Sequence, residues 1–298
     1  MATTQSGQAP ENPICIFSKH FQWAEIGEAA DRSAELGFDG IDVTVRAGGH
    51  VLPERVQEDL PKAAERIRKA GLKIPMVTTD IVDASSPHAE AVLKTMSFLG
   101  IRRYRWGGFR YKDTGSLPDQ LSEFKLRVRD LASLNQKYSV CAMYHTHSGI
   151  GQVGASMWDL YLLLKDFSAD AVAVNYDIGH AVAEGGYGGW IHSTRLLLPY
   201  MKGTAIKDFK WKLNAQGTWV PGWCPLGDGM VNLRKYLKMI REGKFSGPVQ
   251  LHFEYPELGG ADSGKKQLSI PKDQVLGFFR KDIDRFKEML REAQGAGS

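Results

Sequence analysis

The chain has 298 residues, 43% of them hydrophobic and 24% charged, and a formal net charge of +4 at pH 7. That is enough to bury a large core without staples, and no linker rich in proline, serine or charge divides it, so a single domain is expected. The charge is too dilute to suggest a nucleic-acid partner, and no apolar run approaches the roughly 20 residues of a membrane span. The three cysteines, Cys15, Cys141 and Cys224, are too far apart for a disulfide framework or a CxxC metal site, which suits a reducing compartment.

Residues 1–12 are polar, with neither a basic nor an apolar signal region, and read as a flexible leader. The closing Gly-Ala-Gly-Ser, residues 295–298, reads as an artificial tail, leaving 13–294 as the catalytic domain. A cytoplasmic location is expected for the chain as given, or a periplasmic one if an export signal has been trimmed away. A homo-oligomer is compatible with the sequence, although no interface signature marks one.

In chain order, eight short apolar runs alternate with amphipathic stretches: Ile14–Phe17, Gly40–Val45, Ile74–Thr79, Arg103–Trp106, Val140–His145, Ala171–Asp177, Gly203–Ile206 and Val249–Glu254. Helical faces fall between them, such as Trp23, Ile26 and Ala30, then Val92, Met96 and Leu99, then Trp158, Leu160 and Leu164. Gly37, Gly71, Gly100 and Gly243 stand where helices should stop, the usual place of a left-handed cap. Eight βα units in this length predict an α/β fold, a single-domain (β/α)8 TIM barrel. A doubly wound open sheet is the alternative. It is disfavoured because Ser18-Lys19-His20, and not a glycine-rich phosphate turn, follows the first strand.

Chemistry collects at the strand ends. In the last run Gln250, His252 and Glu254 alternate with Val249, Leu251 and Phe253, so the polar three should face the barrel interior. An inward carboxylate there is costly unless paired, protonated or metal-bound. The fifth run ends in His145-Thr146-His147, two imidazoles on one side suited to metal ligation or proton transfer. The sixth ends in Asp177-Ile178-Gly179-His180, offering one ligand and one substrate-facing donor, and the seventh leads into Lys207, either a structural partner of Asp177 or Glu254 or an oxyanion stabiliser. Lys19, His20, Asp42, Arg46, Thr79, Asp80, Arg105 and Trp106 are further candidates to shape a sugar site. Trp211, Trp219 and Trp223, with the segment Gly222 to Gly229, read as a long unstructured lid loop over the mouth.

At Asp177-Ile178-Gly179-His180, Ile206-Lys207-Asp208-Phe209 and Glu254 the sequence resembles the xylose isomerase-like TIM-barrel superfamily, along nearly its whole length. That group holds sugar-phosphate isomerases, ketose 3-epimerases, inosose dehydratase and endonuclease IV. The resemblance implies a divalent metal (Mn, Co, Mg or Zn) held by a Glu, an Asp, a His and a Glu from strands five to eight. Asp177 matches the Asp, Glu254 the final Glu, and His180 the neighbouring substrate-contacting His. Two positions depart: His145 stands for the strand-five Glu and Ala205 for the strand-seven His. The implied metal site is then His145, Asp177 and Glu254.

The expected activity is metal-dependent isomerisation or epimerisation of a small keto-sugar, by proton abstraction α to a carbonyl. Glu254 or His147 is the base, and Lys207 and His180 hydrogen-bond the oxygens. Lys19, Arg105, Trp106, His252 and Trp223 are expected to bind the sugar together with His180. The alternatives are a lyase of the same superfamily, either inosose-dehydratase-like or cleaving 3-keto-glycosides, and a metal-free Schiff-base enzyme using Lys207. A nuclease is disfavoured by the absence of the strand-seven His and of a basic stripe. A non-catalytic sugar-binding barrel would keep the aromatic lid and tolerate loss of Glu254.

Overall fold

The computed structural model describes residues 12–295. The expected leader short of Asn12 and the tail beyond Gly295 lie outside the described residues. Eight parallel strands close into a barrel: β1 (Ile14–Phe17), β2 (Gly40–Val45), β3 (Val77–Thr79), β4 (Arg103–Trp106), β5 (Cys141–His145), β6 (Val172–Asp177), β7 (Met201–Ile206) and β10 (Val249–Leu251). The ring shuts where β1 pairs with β10, Ile14 against Val249 and Ile16 against Leu251. A closed ring has no edges, so the doubly wound alternative falls. Each strand lies within or overlaps one of the eight expected runs.

Around the barrel run α1 (Ile26–Leu36), α2 (Val56–Lys69), α3 (Ala89–Phe98), α4 (Leu117–Tyr138), α5 (Trp158–Leu164), α6 (Ile178–Gly185), α7 (Gly189–Leu197), α8 (Leu233–Glu242) and α9 (Lys272–Gly295). Helix α8 shows why these segments are helical. Leu233, Tyr236, Leu237 and Ile240 recur at helical spacing and are buried, while the Asn232 side chain accepts the Lys235 N–H at 3.0 Å as an N-cap. Gly37, Gly71 and Gly100 adopt the left-handed conformation expected of them. Gly243 does not: its φ is −80°, and Lys244 at φ 55° takes the left-handed place.

Strand alternation divides the apolar residues into two clusters. Outward side chains such as Tyr104, Ala142, Tyr144, Val172, Val174 and Tyr176 join the helices in the large core, while Met76, Cys141, Met143 and Ala173 form a small plug inside the barrel. Above that plug the interior turns polar toward the strands' C-terminal ends, which positions the site.

The expected lid loop is largely a β-ribbon. β8 (Asp208–Leu213) and β9 (Trp219–Cys224) pair antiparallel, with Phe209 opposite Trp223 and Trp211 opposite Pro221. Backbone pairing between two extended runs wins here over the irregular course that the glycines and prolines suggested. Among the described residues no helix is long and apolar enough to cross a membrane.

Candidate active site

The deepest polar layer is a chain of hydrogen bonds across the barrel. Asp42 Oδ2 accepts from Thr78 Oγ1 at 2.7 Å and from Gln250 Nε2 at 2.6 Å. Asn175 Nδ2 reaches Gln250 Oε1 at 2.5 Å and His145 Nδ1 at 3.0 Å. Burial pushes the Asp42 carboxyl up to about 7, against the two hydrogen bonds and the charges of Arg105 and Arg46, which favour its ionised form. Thr78 and Asn175 escaped notice in the sequence. Strand alternation from Asp177 places Asn175 on the same inward face, which is the signal that finds it.

Above this layer stand His145, Asp177 and His252. Asp177 ends β6 and caps α6: its Oδ1 accepts the His180 N–H at 3.1 Å, and its own N–H is held by Thr146 Oγ1 at 2.9 Å. This fixes Oδ2 toward the interior, 3.5 Å from His145 Nε2 and 3.9 Å from His252 Nδ1. One donor atom from each of the three residues lies within 4.8 Å of the others. Both ring nitrogens of His252 are buried without a hydrogen-bond partner, and Asp177 Oδ2 has the Lys207 ammonium 3.1 Å away. Burial raises the Asp177 carboxyl and holds His145 and His252 well below the usual imidazole value. Two neutral imidazoles and one carboxylate, buried and converging, fit a divalent metal ion. A second grouping, His145, His147 and His180, meets the same distance test. Its members are more engaged: His147 Nε2 lies 3.3 Å from Arg105, and His180 contacts Ser148 through Nδ1 and Lys207 through Nε2.

Glu254 belongs to neither grouping, although its Oε1 lies 4.0 Å from His252 Nδ1. Its Oε1 accepts from Lys19 Nζ at 2.8 Å and its Oε2 from Lys207 Nζ at 2.7 Å. Burial works to raise its carboxyl, but Lys207 and Lys19 overcome this and hold it well below the usual carboxylate range. The Glu254 side chain is 21% exposed and that of Asp177 is 0%, so Glu254 is the carboxylate that a ligand entering the mouth can reach. Lys207 Nζ also lies 3.1 Å from Asp177 Oδ2, 2.7 Å from His180 Nε2 and 4.1 Å from the centre of the Trp223 ring. The course of this lysine requires Gly179, where a Cβ would meet Lys207 Cγ at 2.7 Å and Trp223 Cζ3 at 3.2 Å.

The structure thus brings together His145, His147, Asp177, His180, Lys207, Trp223, His252, Glu254, Lys19 and Arg105. Trp106 is elsewhere: one residue after inward-facing Arg105, it points outward and packs on Tyr144 and Phe109. His20 is a satisfied core histidine, in contact with the Ala261 carbonyl at 3.0 Å and accepting the Phe253 N–H at 3.0 Å, its imidazole lowered by burial to about 3. Thr79 and Asp80 bond the backbone at Arg105 and at Ala47. Trp211 and Trp219, 40% and 64% exposed, ride on the ribbon.

Fold and site define a class: a (β/α)8 barrel whose ionisable side chains converge at the C-terminal mouth, where enzymes of this architecture carry their chemistry. The chain belongs to the xylose isomerase-like TIM-barrel family, whose model matches residues 30–293. It is similar to a xylose isomerase-like TIM-barrel protein from Mycobacterium smegmatis solved with magnesium, at 20% identity over 96% of this chain and 99% of that one, TM-score 0.66. It is also similar to the probable 3-DHS dehydratase of petrobactin synthesis from Bacillus anthracis, at 14% identity over 92% and 98%, TM-score 0.68. A D-allulose 3-epimerase from Methylomonas sp. shares 13% identity over 94% and 98%, TM-score 0.66. No curated protein matches the sequence.

Proposed function

We propose that the chain is an enzyme that abstracts the proton α to the carbonyl of a keto-sugar, the step shared by isomerisation, epimerisation and β-elimination. The observation that carries this reading is the solvent-reachable Glu254 carboxylate beside Lys207, directly above the buried His145, Asp177 and His252 donors. The named relatives divide between an epimerase and a dehydratase, in keeping with a common first step. Isomerisation or epimerisation is the reading adopted here, and elimination by a lyase is the second.

Glu254 takes the proton. A carboxylate held this low is a weak base, so the carbon must be acidified by positive charge at the neighbouring oxygen. Lys207 supplies part of that charge, and its contact with Glu254 keeps base and electrophile in register. His180 accepts from Lys207 through Nε2, which leaves Nδ1–H to donate to Ser148 Oγ, 2.7 Å away. Trp223 closes over this group and excludes water. His145, Asp177 and His252 would hold a divalent metal, which supplies Lewis-acid polarisation of a substrate oxygen when bound. Lys207 weighs against the Schiff-base reading: Glu254, His180 and Asp177 surround its Nζ with the partners of an ammonium, not of a free amine.

The test is metal analysis of the purified protein with a keto-sugar screen, run with and without chelator. Asp177→Asn keeps an oxygen to cap α6 but removes the charge. Loss of bound metal and of turnover, with little change in thermal stability, is expected; full metal content with full turnover overturns the assignment.

A further inference from the structure

We propose that the substrate of this mouth carries an anionic group, a carboxylate or phosphate, received by the guanidinium groups of Arg46 and Arg105. The proposal rests on the sugar-site reading above and names the class of sugar. Arg46 follows β2 and Arg105 lies on β4, and both reach the inward-facing Phe17 of β1. Their guanidinium carbons lie 5.4 and 5.8 Å from the centre of its ring. Both side chains are half-buried.

Neither has an anionic partner among the described residues. Arg105 makes one polar side-chain contact, with His147 Nε2 at 3.3 Å, and none with a carboxylate. The Arg46 side chain makes the ring contact alone. No nearby carboxylate forms an ion pair with either: Glu254 is held by Lys19 and Lys207, Asp177 by Lys207, and Asp42 Oδ2 by Thr78 and Gln250. Elsewhere Arg32, Arg55, Arg127, Arg234 and Arg285 all pair with carboxylates, mostly at more exposed positions.

The pair is also drawn together against its own charge. After burial, Arg46 is the largest influence lowering the Arg105 guanidinium. Two half-buried guanidinium groups set around one ring are costly unless an anion arrives to offset them. The ring contacts return only about 0.5–1 kcal/mol each. A guanidinium is planar and forked, the geometry that grips a carboxylate or phosphate through two parallel hydrogen bonds. Placed on β2 and β4, across the mouth from Asp177 and Lys207 on the β6 and β7 side, the pair seats the charged end of a substrate away from the end that reacts.

The experiment is calorimetric titration of the whole protein at fixed ionic strength with D-fructose, D-fructose 6-phosphate and 2-keto-D-gluconate, with inorganic phosphate as control. At least one charged sugar should bind about tenfold more tightly than D-fructose, and whichever does identifies the anion. Arg46→Gln and Arg105→Gln should each remove most of that preference, weakening the charged sugar far more than D-fructose. Three results overturn the proposal: D-fructose bound as tightly as both charged sugars, no binding of either charged sugar, or a preference that survives both substitutions. Inorganic phosphate bound as tightly as the charged sugars reveals an adventitious ion only, and also overturns it. Because binding is read without turnover, a failed anion preference leaves the proton-abstraction reading standing, and an inactive protein still reports the preference.

Discussion

Glu254 and Asp177 are carboxylates that share one lysine, Lys207, and burial sorts their roles. Asp177 is sealed beneath the mouth, its Oδ1 committed to the α6 cap and its Oδ2 left for the interior. Glu254 is reachable and clasped by two ammonium groups. Glu254→Gln keeps the shape and a hydrogen-bond acceptor for one lysine while deleting the proton acceptor. Turnover should therefore fall by about 10²-fold or more with metal content unchanged. An equal loss of metal would instead make Glu254 a ligand, as the family resemblance implies. At this scale the sequence was legible wherever strand alternation applied, which put Gln250, His252 and Glu254 inward and His145 on the side of His147, while the grouping of His145 with Asp177 came from the family resemblance. It was not legible in partner choice: nothing in the order of residues says that Lys19, far away in the chain, reaches Glu254 at 2.8 Å, or that His252 stands nearer Asp177 Oδ2 as a donor.

The elements show the same division. The βα repeat was readable because each unit carries its own periodicity, whereas the β8–β9 ribbon was not, since its pairing depends on how the chain leaves β7. Asp208 sets that departure. Its buried carboxylate accepts the backbone N–H groups of Phe209 and Val231 through Oδ1 and of Gly227 and Gly229 through Oδ2, folding the segment after the ribbon back on its start. At Gly229 a Cβ would lie 2.0 Å from Asp208 Oδ1, so the cage admits no side chain. The first turn of α6 is matched to the ribbon through Gly179, beneath Lys207 and Trp223. Gly179→Ala improves helix propensity by up to about 1 kcal/mol, yet its Cβ would press on Lys207 Cγ at 2.7 Å, an atom too near the backbone to swing aside. The variant should still fold, with a somewhat lower melting temperature, and lose about tenfold or more in kcat/KM as Lys207 shifts from Glu254. Unchanged kcat/KM would mean that the placement of Lys207 does not matter to the reaction.

Across the whole molecule, α9 clasps the barrel through Val275, Phe279, Ile283 and Phe286, all fully buried. Among them lies Asp282, 1% exposed, with Oδ2 accepting from Tyr255 Oη at 3.1 Å and Oδ1 without a partner. Burial raises this carboxyl to about 7. In the unfolded chain it titrates near the ordinary aspartate value of 3.8, so between those values the folded state binds the extra proton. Its stabilising contribution is complete below the unfolded value and is lost as pH rises toward 7, the reverse of an ion-paired acid. Asp42, also raised to about 7, adds a slope of the same sign from inside the barrel. Asp282→Asn removes one of the two without touching the mouth. The parent's melting temperature should fall between pH 5 and pH 8, and the variant's should fall less, standing roughly 2–4 °C above the parent at pH 8 for each kcal/mol relieved. The gap should narrow steadily toward pH 5 and close only near pH 4, where the unfolded chain holds the proton on Asp282 as well. Parallel curves across that range would show that Asp282 titrates alike in both states and that its burial carries no stability cost.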